Sequence, residues 1–456
     1  MVETISKILQ PYLDLGPLFM IFFVFTIMGI VLKLGILNSI RTGLMFSVGF
    51  NGIYIVVDFF LNSITPAAYA LSEKFGGVFT YTDVGVGAVN TTAWSHPIAY
   101  VIMIASVLLN LVMIVLNLTD TINLNIWDFW EADFCALIII ALTGNYIVAL
   151  VVACTWSIVS LWLSDWWGHK GYTEDFYGFD GLTLYQGVNN VWGMFGYAVS
   201  KVLDKLPFVD NPRFTPEKIQ EKLGVLGEPV VIGGFIGMLM GIGAGFWWGD
   251  IVLLMINLAT GMVILPMSAG IIMQALVPIT EATNAFLEKR TGGSRSLYVG
   301  VDCAVAVGNT TNLAITALMI PVMLVLAFII PGMMMVPLGD LSNCTYFWVY
   351  IIAPNKGDIL RSMIACTLAG ILAHLMMSKQ VAYVSAATAM MGVGNGRIGS
   401  TFLGFCPDTW FTGLITENFT SVGIVLIMIV FILLGVFNRF MFLKKKKEHM
   451  PKATEA

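Results

Sequence analysis

Charge is what this 456-residue chain has least of: Asp, Glu, Lys and Arg make up 11% of it, against 58% apolar residues. Soluble domains carry roughly 25% charged residues, so a soluble globular protein is excluded. Histidine is nearly absent too. The four present, His96, His169, His374 and His449, do not share a helical face, and no metal site is expected. The six cysteines, Cys135, Cys154, Cys303, Cys344, Cys366 and Cys406, lie in or beside apolar runs with no CxxC spacing. They read as small buried hydrophobes rather than disulfides or ligands. No GxxxxGK[ST] loop occurs, so the chain is not expected to hydrolyse ATP. No cofactor and no nucleic-acid partner is expected, and the net charge of -5 says little because the charges sit in loops.

What is present is a series of apolar runs about 20 residues long, each enough to cross a hydrocarbon core as helix. The reading is an all-α polytopic membrane protein with roughly 10–12 membrane segments, some of them broken or re-entrant. The first run has no small-residue cleavage site after it and is read as a retained span. Spans are expected at 14–36, 43–61 and 97–118, with an amphipathic stretch at 62–80 on the outer face. Residues 134–163 read as one long helix broken at Thr143-Gly144-Asn145. Ser164–Gly181 is placed outside, and 182–203 is read as a span returning to the cytoplasm. Trp127 and Trp130 read as interfacial anchors.

Two stretches repeat. Asp83-Val-Gly-Val-Gly-Ala-Val-Asn90-Thr91-Thr92 matches Asp302-Cys-Ala-Val-Ala-Val-Gly-Asn309-Thr310-Thr311 at the same spacing. Upstream, Ile64-Thr65 recurs as Ile279-Thr280 and Glu73-Lys74 as Glu288-Lys289. This is an internal duplication: a first repeat over 1–204, a cytoplasmic linker over 205–228, a second repeat over 229–443 and a basic tail over 444–456. The first half reads as five crossings, so the second enters from the opposite side, an inverted repeat of the kind transporters use. Positive loops place the N-terminus outside and the Lys444–Lys447 end in the cytoplasm.

Polar groups at membrane depth are expensive and mark substrate paths. Asp302 is the leading candidate. Its carboxylate offers a hydrogen bond to a hydroxyl and a base to take that hydroxyl's proton. Asp83 follows by repeat symmetry. Asn90, Thr91, Thr92, Asn309, Thr310 and Thr311 are placed to bind hydroxyls or to cap the next helix. Gln186, Asp340 and Asn343 complete the candidate set, with Asn145, His96, Glu417 and Trp94 weighed below them.

Several ordered stretches resemble the membrane component, enzyme IIC, of the galactitol-type phosphotransferase systems. They are Leu13-Asp-Leu-Gly-Pro17, Ile64-Thr-Pro-Ala-Ala68, Asp83-Val-Gly85, Asn125-Ile-Trp-Asp128, Gly227-Glu-Pro-Val230 and Pro337-Leu-Gly-Asp340-Leu. The resemblance implies a homodimer in the bacterial inner membrane, with a substrate-holding core and a scaffold moving by an elevator-type motion. It implies a polyol or sugar as substrate, phosphorylated by a phosphocysteine on a separate enzyme IIB supplied by a IIA. One departure is visible: Tyr185-Gln186-Gly187 stands where the galactitol pattern has a His-Gly pair, so no histidine acid/base is available there. The competing reading is an ion-coupled secondary transporter of a small polar solute, with Asp83 and Asp302 binding the ion.

Overall fold

The computed structural model describes residues 17–75, 80–125, 129–207, 209, 215, 229–291, 297–337, 339–341, 343–393 and 396–449. Most of the 205–228 linker, Trp127, Asp128 and the side chain of Thr91 lie outside the described residues.

The chain is an assembly of helices tied by very short strands. It opens with α1 (Pro17–Val31) and α2 (Ile36–Phe75), then β1 (Thr82–Asp83), α3 (Gly85–Ser95) and α4 (Ile98–Val115). There follow β2 (Thr121–Asn123), α5 (Phe129–Thr143), α6 (Tyr146–His169), α7 (Tyr172–Asp175), β3 (Leu182–Leu184) and α8 (Val191–Leu203). The second half runs through α9 (Pro229–Ala244), α10 (Trp248–Thr291), β4 (Tyr298–Val301), α11 (Ala304–Val307) and α12 (Thr310–Ile329). It ends with α13 (Thr345–Ile352), α14 (Ile359–Met390), β5 (Ile398–Gly399), α15 (Thr401–Gly404), α16 (Pro407–Asn418) and α17 (Ser421–His449). Among the described residues five helices are long and apolar enough to cross a membrane: α4, α6, α12, α14 and α17 over Ser421–Lys444. This is an all-α polytopic membrane protein.

The element order recurs. A long helix (α2, 40 residues; α10, 44 residues) leads into a short strand and then into a span, α4 or α12. The long helices correct the expectation of a span followed by a separate amphipathic stretch. At 1.5 Å per residue each is about 60 Å or more, continuous through Pro66 in the first case.

Side-chain contacts give the helix directions. His96 stacks on Tyr146 at 6.0 Å, Ser106 bonds Ser157 at 2.8 Å, and Trp162 donates to the Leu118 carbonyl, so α4 and α6 run parallel. Asn145 meets Ser421, Trp156 meets Phe431 and His169 stacks on Phe442 at 4.6 Å, so α17 runs parallel to both. Thr367 meets Met319 and Ser378 meets Met333, so α12 and α14 are likewise parallel. This second pair points the other way. Lys170, at the end of α6, lies over Tyr197 of α8, and the Ser200 and Asp204 that follow hold Arg361 at the start of α14. Far along α14, Tyr383 bonds Glu417, next to the Ser421 end.

These directions overturn two expectations. The Thr143–Asn145 break is a hairpin rather than a kink, and α5 turns back against α6. Gly144 takes φ +68°, open to glycine at no steric cost, and Asn145 caps α6 by accepting from the amides of Ile147 and Val148. Ser164–Gly181 therefore follows the end of α6 that packs beside Phe442, at the same end of the molecule as the Lys444–Lys447 run and not opposite it. The expected 182–203 span is instead a strand, a turn and the 13-residue α8, about 20 Å long and too short to cross. Trp130 is a further correction. It is 2% exposed and packs on Phe402 in the core, not at an interface.

Asn145→Ala should lower stability by about 1 kcal/mol, the usual cost of losing a cap. Asn145→Asp, which keeps an acceptor, should retain it. Thermal midpoints in detergent read this out, and an unchanged Ala variant would show that the cap contributes nothing.

Candidate functional site

Two short parallel sheets interlock the halves. β4 of the second half lies between β2 and β3 of the first, and β1 of the first half pairs with β5 of the second. Parallel strands leave the sheet at the same edge, so the three loops after β2, β3 and β4 must emerge together. They carry Asn125, Tyr185-Gln186 and Asp302-Cys303.

The side chains there engage one another. Asp302 Oδ2 accepts from the Asn125 amide at 3.1 Å, and its Oδ1 accepts from the Ala304 backbone N–H at 2.7 Å. Asn125 also donates to the Tyr185 carbonyl at 2.8 Å. The Cys303 thiol donates to Gln186 Oε1. Gln186 is buried, while Asp302 is half-buried. Below the turn lies Glu131, whose Oε1 accepts from Asn189 at 2.8 Å. Gly187, at φ +42°, comes so close that a Cβ there would lie 1.8 Å from Glu131 Oε2. Asn190 ties the turn back to β3 by donating to the Leu184 carbonyl at 3.0 Å. Glu131, Cys406 and Asp408 bring ligand-type atoms within 4.8 Å of one another, all buried. Two acids this close in an apolar surround favour a partner able to supply hydrogen bonds or a proton.

The matching Asp of the first half sits in a second knot. Asp83 accepts from the Gly85 and Gly339 amides at 3.1 Å and from the Thr401 hydroxyl at 2.8 Å. Asp340, fully buried, accepts from the Val86 amide at 2.7 Å, Asn343 at 3.0 Å, the Phe402 amide at 3.0 Å and the Ser400 hydroxyl. The pattern mirrors the first knot: in each, the repeated Asp of one half docks on a strand-end loop and a polar segment of the other. The knots are joined by a short relay. Cys303 reaches the Tyr346 carbonyl, Tyr346 packs on Phe402, and the Phe402 amide bonds Asp340.

The remaining candidates fall outside the two knots. Asn309 caps α12 by accepting from the Thr311 and Asn312 amides, Thr310 is half-buried and Thr311 is buried. Thr92 donates back to the Ala88 carbonyl, and Asn90 keeps a buried amide oxygen with no partner among the described residues. Asn145 and His96 serve helix starts, His96 accepting from the Ile98 amide, and Glu417 bonds Tyr383. Asp302 and Gln186 thus come together, as do Asp83, Asp340 and Asn343. Sequence reasoning missed Asn125, Glu131, Asn189 and Asp408 as site members. The signal for Glu131 was available: an acid inside the apolar run that begins at Phe129 is by default a functional candidate.

Comparisons with known proteins give the family. The family described as "PTS system sugar-specific permease component" matches residues 12–395. The chain is 28% identical over 371 residues to a "Putative permease IIC component" of Escherichia coli K12, covering 81% of this chain and 84% of that one. It is 27% identical over 407 residues to the "PTS system galactitol-specific EIIC component" of the same strain, covering 89% and 90%. With more than three quarters of its length matched in this way, the chain belongs to the sugar-specific permease component family of the phosphotransferase system.

Proposed function

We propose that this protein is the enzyme IIC of a phosphoenolpyruvate-dependent system that takes up a galactitol-like polyol and presents it for phosphorylation. The donor is a phosphocysteine on a separate enzyme IIB, charged in turn by a IIA. The observation that carries the reading is the convergence of Asp302, Asn125 and Gln186 where three parallel strands end. A polyol offers alternating donors and acceptors, which suits a carboxylate flanked by two carboxamides. Asp302 accepts the proton of the hydroxyl to be phosphorylated. Asn125, pinned by the Tyr185 carbonyl, holds that carboxylate in place. Gln186 supplies a carboxamide where the galactitol pattern has histidine, so it binds and does not move protons. Most of the rate comes from holding the acceptor oxygen in line with the phosphorus.

In this reading residues 1–204 and 229–443 are two inverted repeats around the 205–228 linker, and the sheets that lock them together form the substrate-holding core. The antiparallel run of α4 and α6 against α12 and α14 supports this. The long helices α2 and α10 pack on each other and suit the scaffold of a homodimer, against which the core moves as an elevator. The end carrying Lys170, Lys201, Lys205 and Lys444 faces the cytoplasm by the positive-inside rule, with the N-terminus outside. Asp83, Asp340 and Asn343 hold the second knot, and Asn90, Thr92, Asn309, Thr310 and Thr311 remain candidate hydroxyl binders.

Deleting the cognate enzyme IIB should stop polyol accumulation, because the product would no longer be trapped as a phosphate ester. Uptake of labelled polyol into cells with and without enzyme IIB tests this. Accumulation that persists on an ion gradient would instead favour the secondary-transporter reading.

A further inference from the structure

A groove runs down the outside of the molecule between α6 and α17. It encloses about 660 Å³. One face of α6, from Val159 through Trp162 and Trp166 to Lys170, forms one wall, and Phe431, Leu434 and Phe442 belong to the other. Gly435 makes the cleft possible: a Cβ there would lie 1.9 Å from the Trp162 ring. Only 11% of the spanning residues of α17 are buried, so the groove opens toward the hydrocarbon.

Its length and polarity identify what fits. From position 159 to position 170 is about 16 Å of helix, close to the roughly 15 Å of hydrocarbon in one leaflet. The apolar wall therefore spans mid-bilayer to interface and ends in positive charge. Lys170 is exposed and its ammonium lies 4.5 Å from the Tyr197 ring centroid, and no carboxylate pairs with it among the described residues. Asn438, Arg439 and Phe442 share one face of α17, and the exposed Lys444 follows two residues on.

The other charges nearby are committed to one another. Arg439 makes a bidentate pair with Asp120 at 2.7 Å, His169 bonds the same carboxylate at 3.1 Å, and Asp165 lies 3.8 Å from Arg439. Burial opposes the charge on Asp120, but His169 and Arg439 outweigh it and hold its carboxyl well below the usual carboxylate range. The cluster forms the floor of the groove, and the free charge at its mouth is positive.

We propose that this groove is a binding site for an anionic phospholipid of the leaflet on the basic side, its acyl chain along Trp162 and Phe431 and its phosphate at Lys170. The site combines an apolar wall in the membrane with basic residues at the leaflet surface, the arrangement that recognises anionic headgroups.

Native mass spectrometry of the full chain, exchanged from vesicles of equimolar phosphatidylglycerol and phosphatidylcholine, tests this. The expected result is retention of phosphatidylglycerol at least tenfold over phosphatidylcholine. Lys170→Glu should abolish that preference, with Lys170→Gln as a milder variant in case charge reversal prevents folding. Val159→Trp, which fills the groove, should release bound lipid of both kinds. Equal retention of the two lipids by the unaltered chain, or unchanged preference in both Lys170 variants, would overturn the proposal. So would a Val159→Trp chain that loses its dimer mass but keeps its lipid, since the groove would then seat a second copy.

Discussion

Asp302→Asn is expected to cut phosphoenolpyruvate-dependent phosphorylation of the polyol by roughly 10²–10⁴-fold, the usual contribution of a positioned general base, while weakening binding far less. The amide is the same size and keeps an oxygen for the Ala304 N–H, which Asp302 now engages at 2.7 Å. It cannot take a proton. Its NH₂ would also face the Asn125 NH₂ group, which now donates to Asp302 at 3.1 Å, unless that carboxamide turns over. Turning it over would forfeit the 2.8 Å bond from Asn125 to the Tyr185 carbonyl, a net loss of about 1 kcal/mol. Binding should thus fall by about tenfold at most, well short of the loss in phosphorylation. Equilibrium binding of labelled polyol and phosphorylation in vesicles, run on the same preparation, separate the two effects. Parallel losses would mean that Asp302 binds or folds but does not act as a base. Asn125→Ala is the companion variant: as a positioning residue, its loss should reduce phosphorylation and also shift its dependence on pH.

Gly339→Ala is expected to be strongly destabilising although it adds a single methyl group. A Cβ there would lie 2.6 Å from the Gly85 nitrogen and 2.8 Å from the Asp83 carbonyl oxygen. Both are backbone atoms inside the second knot, so neither can swing aside as a side-chain tip would. The loops must separate, and the 3.1 Å bond from the Gly339 amide to Asp83 goes with them. Overpacking of this kind costs about 1–3 kcal/mol, and the lost hydrogen bond adds about 1 kcal/mol. Gly87→Ala is the control. A Cβ there meets nothing within 4 Å, and position 87 lies within α3, where alanine is favoured over glycine by about 0.5–1 kcal/mol. Thermal midpoints in detergent should therefore move in opposite directions. If the two variants melt alike, the close approach of residues 85 and 339 is not what holds the loops together.

The membrane class and the family were legible in the residues. Long apolar runs can be satisfied only as helices in lipid, and the shared Asp-to-Asn-Thr-Thr spacing needs no coordinates to be seen. Asp302 and Gln186 were named as candidates, and they lie on adjacent loops joined through Cys303. Repeat symmetry named Asp83 together with Asp302, but in the fold the two sit in separate knots.

Topology was harder to read. A run such as 134–163 has the same composition whether its Gly-Asn break bends a helix slightly or reverses it, because hydropathy carries no direction. Asn145 and a left-handed Gly144 made it a hairpin, and that reversal set the end of α6 beside the end of α17. The same limit hid the partners of each carboxylate. Asn125 and Asp302 are 177 positions apart, and Asp83 and Thr401 are 318 apart. Local spacing tells which side chains share a helix face or precede a span, and so it yields spans, caps and candidate acids. Which acid meets which amide depends on strand pairing between the two halves, a long-range choice made by packing that no short stretch of the chain encodes.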